Sequence, residues 1–141
     1  MSIAVFDTIP PNSLTLTKNR PRLLLIAIAT VIIVLMFYLG AQPIVAGLFP
    51  PPWDKLAHFV TYATLTVLLR IGIGGDKPWL LVVLIGIIGS LDEWRQLSIP
   101  GRSAELADLA TDVAAAVVTI KAYEWYAKNC MPSLTTPDHS N

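Results

Sequence analysis

The chain has 141 residues, 54% hydrophobic and only 14% charged, with a formal net charge of zero. Soluble domains carry about 25% charged residues, so this composition argues against an ordinary soluble fold and for a small membrane protein of one domain. The balanced charge gives no electrostatic basis for nucleic acid as a partner, and Cys130, the single cysteine, excludes an internal disulfide and a thiolate metal cage.

Four apolar segments follow one another, and they predict an all-α membrane protein, a bundle of four transmembrane helices. The first, 23–41, carries no charge from Leu23 to Ala41. At about 1.5 Å per residue it matches a hydrocarbon core of ~30 Å. Its apolar run exceeds the ~7–15 residues of a signal peptide and its polar leader is long, so it reads as an anchor behind an N-terminal segment, 1–22. The second segment, 56–73, contains His58 and Arg70. The third, 79–97, is uninterrupted only from Trp79 to Leu91. The fourth, 106–126, has a charge-free centre of only Val113 to Ile120, and a tail, 127–141, follows. A span needs about 20 residues. The third and fourth segments therefore cross only if Asp92, Glu93, Asp108 and Asp112 enter the membrane or its interface.

Lys and Arg set the expected orientation. Lys18, Arg20, Arg22, Arg70, Lys77, Lys121 and Lys128 fall on one side, and Lys55, Arg95 and Arg102 on the other. This asymmetry puts both termini in the cytoplasm. Trp53, Trp79, Trp94 and Trp125 stand near the expected span ends, where interfacial aromatics belong.

Ionisable residues at membrane depth are costly and mark functional sites by default. Asp54, Lys55, His58 and Tyr62 open the second helix, and His58 and Tyr62 share one face. Asp54 also suits an N-cap, and His58 also suits a neutral imidazole hydrogen-bonded inside the bundle. On the third helix, Asp92 and Gln96 share a face beside Glu93. Gly86, Gly89 and Ser90 precede them as small residues for close packing. On the fourth helix, Glu105, Asp108, Asp112, Ala115 and Thr119 form one stripe, with Ser103 as the expected N-cap. In a four-span bundle the start of the second helix, the end of the third and the start of the fourth lie at one membrane face. The candidate site residues Asp54, Lys55, His58, Tyr62, Asp92, Glu93, Gln96, Arg102, Asp108 and Asp112 thus converge at the outer side. His58, Asp92 and Glu93 are the candidates for catalysis. The spacing contains no tight ligand motif such as His-Glu-x-x-His, so no metal is assigned, and no cofactor is legible.

These fragments together resemble the VanZ-like family, named for a teicoplanin-resistance protein of bacteria. The family pattern is Asp-Lys-x-x-His-Phe, then Asp-Glu-x-x-Gln, a Pro-Gly-Arg loop and Asp-x-x-x-Asn. Here Asp54, Lys55, His58 and Phe59 match the first element, with Tyr62 one turn on. Asp92, Glu93 and Gln96, then Pro100, Gly101 and Arg102, and finally Asp108 match the rest. The resemblance covers Trp53 to Ile120 and implies a multi-pass protein of the bacterial plasma membrane. Asp112 stands where the family has Asn, and Ala115 and Thr119 stand where glycines are common. The resemblance carries no reaction. The expected partners are the lipid bilayer and an envelope lipid, cell-wall precursor or glycopeptide-type antibiotic, with Arg102 and Lys55 meeting an anionic group and Tyr62 and Trp94 meeting apolar parts. Three alternatives stand beside this: an intramembrane enzyme acting on a lipid-linked phosphate, a structural subunit bound to a membrane-protein partner, and a proton-coupled transporter, which at this length would require oligomerisation.

Overall fold

The computed structural model describes residues 12–42, 50, 52–100 and 104–130, with side chains described from residue 19 onward. Four helices make up the fold of the described residues: α1 (Asn12–Gly40), α2 (Trp53–Ile73), α3 (Pro78–Gln96) and α4 (Leu106–Cys130). α1 begins well before Leu23 and runs through Pro21. α2 likewise starts at Trp53, ahead of Leu56. Charge marks where the apolar run ends, but a backbone that satisfies its own hydrogen bonds continues through a charged turn. α4 ends later than expected for the same reason, at Cys130.

Asp54 is not the N-cap of α2. Pro52 holds that position and makes no side-chain cap bond. Two glycines with φ of 69° and 93°, Gly74 and Gly75, turn the chain from α2 into α3, a backbone conformation that costs glycine little. Pro78 begins α3, where its missing N–H has no intrahelical partner to lose.

α2 and α4 pack against each other most extensively and form the centre, with α1 against α2 and α3 against α4, while α2 and α3 touch over a shorter stretch. The apolar core gathers Tyr62, Leu65 and Leu69 from α2 and Leu81, Ile85 and Ile88 from α3. Ala115, Ala116 and Ile120 come from α4, and α1 adds only Ala29. The stripe read from the sequence is the packed face of α4, since Asp108, Asp112 and Ala115 are buried along it. α1 approaches α2 closely at Gly72, where a Cβ would lie 2.8 Å from Ile26 Cγ1 and 3.2 Å from the Arg22 carbonyl oxygen.

Outside this core the surface is apolar. Leu23, Leu24, Val31, Val34 and Leu39 of α1 are each at least half exposed, as are Val60 of α2, Val83 and Ile87 of α3 and Val118 of α4. Contiguous apolar surface of this kind marks contact with lipid or protein. Two helical stretches, Asn19–Gly40 and Trp53–Ile73, are long and apolar enough to cross a membrane. α3 carries Asp92 and Glu93, and α4 carries Asp108 and Asp112, within the helix.

Candidate functional site

The start of α2, the end of α3 and the start of α4 meet at one end of the bundle, and their polar side chains bond to one another across the helices. Lys55 ties α2 to α4. Its ammonium donates to Asp108 Oδ1 at 2.7 Å, to Glu105 Oε2 at 3.0 Å and to Asp54 Oδ2 at 3.4 Å. One turn deeper, His58 Nδ1 lies 2.9 Å from Asp112 Oδ1. With Asp112 ionised the carboxylate only accepts, and the shared hydrogen then belongs to Nδ1, with the lone pair of the ring on Nε2. Tyr62, another turn on, stacks against His58 with ring centroids 6.1 Å apart.

α3 joins from the other side. Asp92 accepts from Arg95 Nη2 at 2.7 Å and from Gln96 Nε2 at 3.0 Å. Gln96 also reaches Glu93 Oε1 at 3.5 Å. The other oxygen of Glu93 accepts the backbone N–H of Glu105 at 2.7 Å, just ahead of α4. Glu93 thereby satisfies one of the donors that a helix start leaves unpaired, and a carboxylate there is also favoured by the helix dipole. The position expected for a cap, Ser103, lies outside the described residues, as does Arg102.

Burial divides the cluster. Asp92, Glu93, Gln96 and Asp108 are each 4–7% exposed, and Asp112 and Tyr62 are 0% and 1% exposed. Asp54, Lys55 and His58 are half-buried and Glu105 is exposed, so the cluster opens towards the end of the bundle. The described members include six carboxyl groups, on Asp54, Asp92, Glu93, Glu105, Asp108 and Asp112. Against them stand the permanent cations Lys55 and Arg95, with His58 as the titratable member. Among the described residues, carboxyl groups therefore outnumber cations.

Two of the roles expected from the sequence change. Lys55 is engaged by three carboxylates and is not a free cation for an incoming phosphate. Tyr62 is enclosed, so it offers no surface to an apolar group. Trp94, by contrast, is 71% exposed on the outer flank of α3. Every described candidate is brought into or against the cluster, and Arg102 lies outside the described residues. Arg95, Gly89 and Phe37 join it from outside the candidate set. The Arg95 guanidinium lies over the Phe37 ring at 5.3 Å, which links α1 to the polar end of α3. Gly89 gives Asp112 its space, because a Cβ there would lie 2.7 Å from Asp112 Oδ2 and 3.1 Å from Leu109 Cδ1. Only the small size of Gly89 hinted at this, and Phe37 gave no signal within an apolar run.

Comparison with known proteins finds no family model, no curated protein and no solved structure that matches this chain. What the cluster does is argued from its own geometry.

Two substitutions separate space from hydrogen bonding here. Gly89→Ala inserts a methyl group against Asp112 and should cost about 1–3 kcal/mol, as overpacking does, read as a lower melting temperature of the detergent-solubilised protein. Tyr62 Oη is buried without a hydrogen-bond partner. Removing an unpaired buried polar group is nearly neutral or stabilising, so Tyr62→Phe should melt at or above the wild-type temperature in the same assay.

Proposed function

We propose that this chain is a VanZ-like integral protein of the bacterial plasma membrane, crossing it four times with both termini in the cytoplasm. In this reading the polar cluster at the outer face binds or modulates an envelope lipid, a cell-wall precursor or a glycopeptide-type antibiotic. One observation carries the proposal. Asp92, Glu93, Asp108 and Asp112, from two helices of an otherwise apolar chain, are buried together with His58 beside them at an end that opens outward. Several carboxylates withdrawn from water in one place are expensive, and a bundle needing only to hold its helices together has cheaper apolar solutions.

Further features support the four crossings. α3 has 19 residues and α4 has 25, so they extend about 28 and 37 Å, close to or beyond a ~30 Å hydrocarbon core. Both expose aliphatic side chains along their lengths. Trp53 and Trp94 stand exposed at the end that holds the cluster, and Trp79 and Trp125 at the other, in the positions of two interfacial belts. The excess of Lys and Arg at the second end supports this orientation. Cys130, exposed at the end of α4, makes it testable. A membrane-impermeant maleimide should label inverted membrane vesicles and leave intact spheroplasts unlabelled. Labelling in spheroplasts would reverse the orientation.

The surplus of carboxylates limits what enters the cluster. The ligand group there is cationic, or is an anion delivered with a cation. The His58–Asp112 pair also favours a second reading, an enzyme acting on a lipid-linked phosphate, with His58 Nε2 as general base. The test is shared. Full-length protein and the triple variant His58→Ala, Asp92→Ala, Arg102→Ala are purified in mild detergent and analysed for co-purified amphiphiles by native mass spectrometry. Glycopeptide tolerance is compared between a deletion strain and strains carrying either form. Wild type should retain an amphiphile and restore tolerance, and the variant should do neither. Identical tolerance in all strains, together with no amphiphile on the wild-type protein, would sink the binding reading. Turnover of lipid-linked phosphate by the wild type alone would establish the enzyme.

A further inference from the structure

His58, Glu93 and Asp108, one from each of α2, α3 and α4, each offer a ligand atom within 4.8 Å of the others. Two metal–ligand bonds of about 2.1 Å place donors no more than ~4.2 Å apart, so small side-chain rotations bring this set onto one ion. Glu93 and Asp108 are buried and His58 is half-buried, which separates the triad from the loose acidic groupings common on protein surfaces.

Two independent features of the same place point to a ligand. The first is the support behind the imidazole. Histidines that bind metals usually donate their second ring N–H to a carboxylate, which fixes the tautomer and raises the basicity of the ligating nitrogen. Asp112 does this for His58, from a fully buried position and at 2.9 Å. The second is an unpaired polar side chain beside the triad. Tyr62 Oη is enclosed and has no hydrogen-bond partner. Its ring stacks on His58, and the charged groups acting on it are Asp112, Asp92, Glu93 and Arg95.

We propose that His58, Glu93 and Asp108 form a binding site for a divalent transition-metal ion, with Asp112 positioning the imidazole from behind. One nitrogen and two carboxylate donors suit Zn²⁺, Mn²⁺ or Fe²⁺ better than Mg²⁺ or Ca²⁺, which prefer oxygen alone. The ion offsets the surplus of carboxylates and leaves coordination positions for an anionic group from the membrane surface. The inference rests on the reading of the cluster as a ligand site, and it names the ion through which that site acts.

The full chain in detergent, stripped with EDTA, is titrated with Zn²⁺ by calorimetry and with Co²⁺ by ligand-field absorption. One ion should bind per chain, and equimolar Mg²⁺ should not compete. His58→Gln, Glu93→Gln and Asp108→Asn should each weaken binding at least ~10-fold. Asp112→Asn, which touches the ion only through His58, should weaken it ~10–100-fold. Should these variants lose helicity, the wild type alone still decides, because Zn²⁺ should protect His58 from carbethoxylation mapped by mass spectrometry. No stoichiometric Zn²⁺ or Co²⁺ binding, equal reactivity of His58 with and without Zn²⁺, or full affinity in folded His58→Gln would overturn the proposal. Amphiphile capture that persists in EDTA on a chain that binds no Zn²⁺ would overturn the metal and leave the ligand site standing. Zn²⁺ binding without any captured amphiphile would uphold the metal and count against the ligand reading.

Discussion

A carboxylate withdrawn from water must find donors nearby, and in this chain that requirement organises one whole end of the bundle. Donors at this end are few, so they are shared. Lys55 serves Asp54, Glu105 and Asp108 together, Gln96 spans Asp92 and Glu93, and a backbone N–H meets the remaining oxygen of Glu93. Charge-assisted bonds of this kind are roughly twice as strong as neutral ones. Those from Lys55 to Asp108 and from the Glu105 N–H to Glu93 cross between elements, so satisfying these acids also sets how α2, α3 and α4 sit against one another. Apolar packing alone is less particular, since lipid tails solvate a leucine as well as a neighbouring helix does.

The two close glycine approaches belong to the same logic. Gly89 lets the backbone of α3 come so near α4 that Asp112 Oδ2 occupies the space a methyl group would take. This closeness encloses Asp112 completely, and the enclosed carboxylate holds His58. At the other end, Gly72 admits α1 against α2. There Arg70 donates to the Gly75 carbonyl oxygen and lies over Tyr123 at 5.2 Å, and among the described residues no acid is buried near them. One end is held by buried charge pairs and the other by packing and exposed polar contacts.

Much of this was legible in the sequence. The helical content follows from long apolar runs punctuated by Gly74-Gly75 and Pro78, and the spacing of Asp108, Asp112 and Ala115 gave the buried face of α4. Helix starts were less legible, because Lys18, Arg20 and Arg22, like Asp54 and Lys55, mark the end of an apolar run and not the end of a helix. Pairing was hidden for a different reason. Periodicity places side chains on a face but says nothing about the rotation of one helix against another. Hence Lys55 choosing Asp108, His58 choosing Asp112, and Phe37 of α1 lying under Arg95 appear only once the helices are assembled.

Asp112 shows how far the geometry reaches. A neutral amide at that position could accept the same hydrogen from His58 Nδ1, but it would bring no negative charge. An ionised aspartate adds charge to a cluster in which, among the described residues, carboxyl groups already outnumber cations, and Asp112 stands there at zero exposure with one oxygen unpaired. Such an arrangement is unfavourable in isolation. It becomes economical when the imidazole it supports makes a bond strong enough to offset it, either to a proton in transit or to a cation. Lys55 already sits over Asp108 and Glu105, so the charge left uncompensated lies deeper, around His58, Glu93 and Asp112. The excess charge and the supported imidazole therefore coincide, and that coincidence favours a site for a cation over a lock between helices.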